Sequence, residues 1–163
     1  MGKYIRNLSP GFTLVEVIAV VALLGIVLAV AVPSINNTLN EIKLDGAAQE
    51  VVSAIHYVRS LAIKEGVDHR VRFFIAQELF RCGLQGAGNF IYNPLDKKLY
   101  FVDFTAEGPL KGVDIVSADF GGMPVVGFNS LGEPWAGGSV VLAYAGLQKT
   151  INVTAPIGKV SVN

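Results

Sequence analysis

The longest apolar run in the chain lies near its beginning, from Phe12 to Val32. Thr13, Glu16 and Gly25 interrupt the apolar character of these residues. A helix of this length rises about 31 Å, which matches the thickness of the hydrocarbon core of a bilayer. The pattern therefore predicts a transmembrane helix over residues 12–32.

A helical pattern continues beyond Pro33, which lacks an N–H and crowds the carbonyl four residues back, so we expect a kink there. The apolar positions that follow have spacings compatible with one helical face: Ile35, Leu39, Ile42, Val51, Ile55, Val58 and Ala62. Gly66 comes directly after this segment and provides a stop signal. We therefore expect one long helix from about residue 12 to 65, with an amphipathic continuation over residues 33–65 that packs on the domain behind it.

Short alternating runs and frequent turn signals characterise residues 66–163. Strands are predicted at His69–Ile75, Leu79–Leu84, Lys98–Phe104, Val113–Ala118, Pro124–Phe128, Ser139–Tyr144, Leu147–Thr154 and Lys159–Val162. No second long helix is predicted. The expected fold class is α+β, in which a long amino-terminal helix packs on a carboxyl-terminal antiparallel sheet or two-sheet sandwich.

One carboxylate, Glu16, lies inside the apolar run, four residues beyond Phe12. An acidic side chain at the centre of a bilayer costs about 3 kcal/mol on insertion scales, and less near an interface. An amine from an adjacent helix would offset this cost, whereas a carboxylate that snorkels to the headgroups would need no partner. Lys3 and Arg6 precede the run, so the positive-inside rule places the amino terminus in the cytoplasm.

The stretch Gly11-Phe12-Thr13-Leu14-Val15-Glu16 resembles the processing site of type IV pilins and type II secretion pseudopilins. This resemblance implies that residues 1–11 are a leader, that a prepilin peptidase cleaves between Gly11 and Phe12, and that Phe12 is then N-methylated. It also implies that Glu16 pairs with the amino terminus of a neighbouring subunit.

An ordinary secretory signal is the alternative, because Ala29-Val30-Ala31 looks like a small-residue cleavage site. The apolar run is longer than the roughly 7–15 residues typical of such a signal and it contains a charge, which favours the pilin-type leader.

A second resemblance lies in the remainder of the chain. Val58–Lys64 and Phe128–Gly132 resemble segments of the GspH/FimT family of minor pseudopilins, and Ile151–Thr154 with Ile157–Val162 resemble its paired terminal strands. The resemblance implies a pilin fold and a single-pass protein of the bacterial inner membrane with its carboxyl-terminal domain in the periplasm. The implied partners are prepilin peptidase, other pilins or pseudopilins, the inner-membrane assembly platform and membrane lipid.

The charge balance argues against a nucleic-acid-binding protein, because 13 basic residues face 13 acidic ones. Some FimT-type minor pilins bind DNA through a Gly-Arg-x-Arg motif, but the matching stretch here is Gly158-Lys159-Val160-Ser161, without either arginine. Nucleic acid is therefore not an expected partner.

No set of residues has the spacing of a catalytic or metal site. Cys82 is the one cysteine, so we expect a small buried hydrophobe, with a bridge to a partner as the alternative. His56 and His69 fit no zinc signature, and the carboxylates match no calcium loop. No cofactor is expected.

The sequence thus predicts a structural subunit rather than an enzyme. The first hypothesis is a minor pseudopilin of a type II secretion pseudopilus. A minor pilin of a type IV pilus, used in adhesion, motility or DNA uptake, is the alternative. A membrane-tethered periplasmic enzyme is a third hypothesis that no catalytic motif supports.

Overall fold

A computed structural model describes residues 11–84 and 90–163, with the side chains of residues 30–36 outside the described part. Helix α1 runs from Leu14 to Glu65 without interruption, as the sequence predicts. The chain divides into two compact units, Met1–Thr38 and Leu39–Asn163. Pro33 falls in the stretch 30–36, outside the described side chains, so the kink stays a prediction.

The first unit is the amino-terminal part of α1. From Leu14 to Leu28 every large apolar side chain exposes about half or more of its surface. Within residues 11–84 and 90–163, no helix has an apolar stretch long enough to cross a membrane. The predicted span over residues 12–32 extends into the stretch 30–36 and stays a prediction.

Two four-stranded antiparallel sheets form the body of the second unit. The strands are β1 His69–Phe74, β2 Leu79–Leu84, β3 Phe101–Asp103, β4 Asp114–Asp119, β5 Val125–Phe128, β6 Gly138–Tyr144, β7 Leu147–Thr154 and β8 Lys159–Val162. The first sheet has the order β3-β2-β1-β5 and the second the order β4-β6-β7-β8. The α+β fold class and the two-sheet arrangement are therefore confirmed. β1 ends one residue early because a 3-10 turn begins at Ile75, and β3 is shorter than predicted.

The buried face of α1 in this unit consists mainly of small and aliphatic side chains. They are Leu44, Ala47, Ala48, Val51, Ala54, Ile55, Val58 and Ala62. The alanines add little bulk, which lets the helix backbone approach the sheets closely. Phe73 and Phe80 of the first sheet are buried in the same core, and the Phe73 ring stacks on that of Phe120 with centroids 6.0 Å apart.

The predicted stripe on α1 was wrong at its beginning. Leu39 and Ile42 are 57% and 61% exposed, and Leu44 occupies the buried face instead. Each residue turns the helix by about 100°, so the nine steps from Ile42 to Val51 place these two side chains on opposite sides. Ile35 lies among the side chains that are not described.

The end of α1 is fixed by a glycine and a buried histidine. Gly66 has φ +70°, a conformation that favours glycine, and its N–H donates to the carbonyl oxygen of Ala62 at 3.0 Å. His69 Nδ1 donates to the carbonyl oxygen of Val67 at 2.9 Å, while its Nε2 lies 3.1 Å from a Glu65 carboxylate oxygen without completing a hydrogen bond. These contacts link the last turn of α1 to the first strand.

Candidate assembly site

The predicted processing site lies directly before α1. Gly11, Phe12 and Thr13 are outside regular secondary structure, and all three are exposed. A peptidase needs access to an extended backbone, and a helix would hide the bond within its own hydrogen-bond ladder. The bond between Gly11 and Phe12 is therefore open to cleavage in this conformation.

The fold does not require a glycine at position 11. No heavy atom of the described residues lies within 4 Å of the place where a Cβ would be, and φ is not in the left-handed region. A side chain would therefore fit without strain. Any requirement for glycine here would come from a partner that approaches the backbone, such as a peptidase.

Thr13 caps the first turn of the helix. The backbone N–H of Glu16 donates to Thr13 Oγ1 at 3.2 Å and to the Thr13 carbonyl oxygen at 3.1 Å. Thr-x-x-Glu is the spacing of a capping box, in which the threonine accepts the hydrogen bond from the third helical residue. The sequence reasoning missed this role of Thr13, although the spacing was visible.

Glu16 lies in the first turn of α1, where the helix dipole favours a negative charge. In the part of the chain that the structure describes, the ion pairs are Glu107–Lys111 and Asp45–Lys149, and the Glu65 carboxylate lies near the His69 ring; none of these contacts involves Glu16. The carboxylate is thus available to an amine that comes from outside the described chain.

A second cluster, which we call the Arg59 junction, lies near the end of α1. Arg59 Nε donates to the Gly132 carbonyl oxygen at 2.9 Å, while its terminal nitrogens donate to Ile157 O at 2.9 Å and to Gly158 O at 3.3 Å. The planar guanidinium can serve several acceptors at fixed angles, which an ammonium cannot. One side chain therefore joins α1 to two separate turns.

The Arg59 junction brings together all three segments that carry the GspH/FimT resemblance. Gly132 has a φ of +79°, a conformation that favours glycine, and an added Cβ would lie 2.6 Å from the end of the Ile63 side chain, which would have to shift. The sequence pattern identified these segments but not the arginine that connects them.

The remaining candidate residues show no reactive arrangement. Cys82 is 1% exposed, and burial followed by the Glu50 charge raises the pKa of its thiol, so a bridge to a partner would require local unfolding. His56 is exposed and distant in sequence from the buried His69. Among residues 11–84 and 90–163 no group of three or more histidine, cysteine or carboxylate side chains is placed to hold a metal ion.

Comparison with known protein families gives one match. The prokaryotic N-terminal methylation motif matches residues 6–32, which include Gly11, Phe12 and Glu16. The matched part is less than half of the chain, so it identifies the motif and leaves the body unassigned. No curated protein matches the chain.

Comparison with solved structures identifies the fold of the body. The type IV minor pilin FimU of Pseudomonas aeruginosa aligns with a TM-score of 0.55 and 15% identity, over 76% of this chain and 90% of FimU. The minor pseudopilin EpsH from the type 2 secretion system of Vibrio cholerae aligns with a TM-score of 0.56 and 14% identity, over 74% of this chain and 96% of EpsH. At these identities the likeness concerns the fold. The chain thus combines the methylation motif with the fold of minor pilins.

Proposed function

We propose that this chain, type IV pilin-like by its methylation motif and its fold, is a minor pseudopilin of a type II secretion pseudopilus. The observation that carries the proposal is the position of the motif. It matches residues 6–32, which include the beginning of a helix whose large apolar side chains from Leu14 to Leu28 each expose about half or more of their surface.

In this proposal, prepilin peptidase removes residues 1–11 and methylates the new amino terminus at Phe12. The accessible, non-helical backbone of residues 11–13 supports this step. Thr13 is the N-cap of the helix. Its Oγ1 accepts the hydrogen bond from the backbone N–H of Glu16 that a carbonyl oxygen of a preceding helical turn would otherwise accept.

The exposed side chains of the first unit support assembly through α1. Burying one valine, leucine or isoleucine side chain contributes about 1.5–3 kcal/mol, so a stretch of exposed apolar residues favours lipid or neighbouring helices over water. The processed chain waits in the inner membrane and then enters the filament, where the Glu16 carboxylate pairs with the amino terminus of a neighbouring subunit. The assembly platform and a separate ATPase would drive this step.

The fold of the body supports a structural role. The fold neighbours FimU and EpsH are described as a minor pilin and a minor pseudopilin.

A minor pilin of a type IV pilus is the second candidate, because FimU and EpsH resemble the chain about equally. A deletion strain separates the two functions. Loss of exoprotein secretion with normal pili would support the pseudopilus, whereas loss of pili or of DNA uptake with normal secretion would support the type IV pilus.

Processing is tested by mass spectrometry of the chain after co-expression with prepilin peptidase. We expect the wild type to lose residues 1–11 and to gain one methyl group on Phe12. Gly11→Val should stay uncleaved without a change in folding, because nothing in the described structure surrounds Gly11. A mature chain that begins at Val32 would show a conventional signal peptide and contradict the proposal.

A further inference from the structure

The outer surface of the first sheet carries three arginines side by side, which we call the arginine face: Arg70, Arg72 and Arg81. Along β1 the buried residues Val71 and Phe73 alternate with Arg70 and Arg72, which point away from the core. In the β1–β2 register Arg72 lies directly opposite Arg81. Neighbouring strands are about 4.8 Å apart, so the three cations share one small area.

The arginine face has a cost in stability. Like charges directly opposite each other on paired strands repel. Burial, together with the charge of Arg72, lowers the pKa of Arg70. Among the described residues neither Arg72 nor Arg81 forms an ion pair, and the Arg81 guanidinium instead lies 5.3 Å from the centroid of the Phe74 ring. Within residues 11–84 and 90–163, the charges of Arg72 and Arg81 are therefore not neutralised by an acidic side chain.

Aromatic side chains border the arginine face. Phe101 of β3 lies opposite Arg81, and Phe90 bridges to Gly83, the residue opposite Arg70. Phe101 and Phe90 are 50% and 48% exposed.

A cavity of about 150 Å³ opens at this border. Its lining is Arg81, Phe90, Leu99, Tyr100 and Phe101. Because Arg81 lies beside lining residues that are apolar or aromatic, the cavity suits an apolar side chain that has an anionic neighbour.

We propose that the arginine face and this cavity bind an acidic segment of another protein. Carboxylates of the segment pair with Arg72 and Arg81, and one apolar side chain of the segment enters the cavity. A guanidinium binds a carboxylate through two parallel hydrogen bonds, and arginine and aromatic residues are the anchors most enriched in protein interfaces. This inference goes beyond the proposed function and does not depend on filament assembly.

The charge balance favours a protein over a nucleic acid. The chain as a whole is neutral, with 13 basic and 13 acidic residues, so it lacks the broad positive field that attracts a polyanion.

The test uses the full chain in nanodiscs of zwitterionic lipid and a fluorescein-labelled peptide, Glu-Glu-Phe-Asp-Glu with blocked ends. Binding is measured by anisotropy. The single tryptophan, Trp135, serves as a second probe, because its ring covers Gly127, the β5 partner of Arg70. We expect binding that weakens when salt rises from about 50 to about 300 mM.

The double variant Arg72→Gln with Arg81→Gln should bind the peptide about tenfold or more weakly, because two charge-assisted contacts are lost. Its melting temperature should stay equal or rise, because the repulsion between the two arginines is gone. Lys159→Gln, a loss of one exposed cation on the other sheet, is the matched control and should bind like the wild type.

Unchanged affinity of the double variant would overturn the proposal, as would equal binding of a peptide with lysine at every acidic position. Tighter binding of an oligothymidylate of the same charge would assign the face to nucleic acid instead. A peptide with alanine in place of phenylalanine tests the cavity. We expect it to bind the wild type more weakly, and a Phe101→Ala variant should remove this difference between the two peptides.

Discussion

Replacing Arg59 with methionine should lower the free energy of unfolding by removing the hydrogen bonds of one side chain. Methionine keeps much of the apolar stem of arginine but removes all three hydrogen bonds to Gly132, Ile157 and Gly158. The two turns that contain these carbonyl oxygens then lose these hydrogen bonds to α1.

The size of the effect follows from the geometry. A hydrogen bond from a charged donor contributes about 1.5–3 kcal/mol when it is shielded from water. Arg59 is half-buried, so water can replace part of what is lost, and we expect a total loss of about 2–3 kcal/mol. For a domain of this size that corresponds to a fall of roughly 6–12 °C in the melting temperature.

The measurement is thermal and urea unfolding of the full chain in detergent, followed by circular dichroism in the near ultraviolet. The free energy of unfolding of Arg59→Lys should lie between those of Arg59→Met and the wild type, because an ammonium group keeps the positive charge but not the planar arrangement of donors. Arg72→Met, on the exposed face of β1, is the matched control and should change the free energy of unfolding by no more than about 0.5 kcal/mol. Equal stability of Arg59→Met and the wild type would show that the junction contributes nothing.

Three further predictions concern other parts of the chain. Thr13→Ala removes the cap and should destabilise the first turn by about 1 kcal/mol, measured as faster hydrogen exchange of the Glu16 amide; unchanged exchange would contradict the capping role. Gly127→Val places a side chain where an added Cβ already lies 2.3 Å from the Trp135 ring, so it should destabilise the protein by about 1–3 kcal/mol and shift the tryptophan emission to the red. Because burial raises its thiol pKa, Cys82 should resist iodoacetamide in the native protein and react in urea, and rapid native labelling would refute its burial.

The sheets could be predicted from the sequence because local patterns decide them. Short β-rich runs between turn signals predicted every strand, and β2, β7 and β8 have the predicted bounds. The buried face of α1 was harder to predict, because a long helix has apolar residues at several positions that could form its buried face. The alanines at 47, 48 and 54 carry no strong hydrophobic signal, yet they decide which side is buried.

The contacts between distant segments were not predictable. Arg59 is separated from Gly132 and Gly158 by 73 and 99 residues, and periodicity contains no information about such pairs. The arginine face shows the same limit. The alternation in β1 shows that Arg70 and Arg72 point outward, but the position of Arg81 beside them depends on the register of the hairpin.

At the amino terminus, Gly11, Phe12 and Glu16 were identified from the resemblance of residues 11–16 to a pilin processing site, and the methylation motif covers the same residues. The capping role of Thr13 lies in the same short stretch and was missed. No ion pair of the described residues involves Glu16, so its pairing with the amino terminus of another subunit stays a prediction.

The central claim is that α1 assembles with the helices of other subunits through Glu16. The most direct test separates sheared filaments from inner membranes and measures the share of mature chain in each fraction, for the wild type and for Glu16→Ala. We expect both proteins to be processed and to insert, but only the wild type to appear in the filaments. Mature wild-type chain found in the membrane fraction alone, or equal incorporation of Glu16→Ala, would contradict the account.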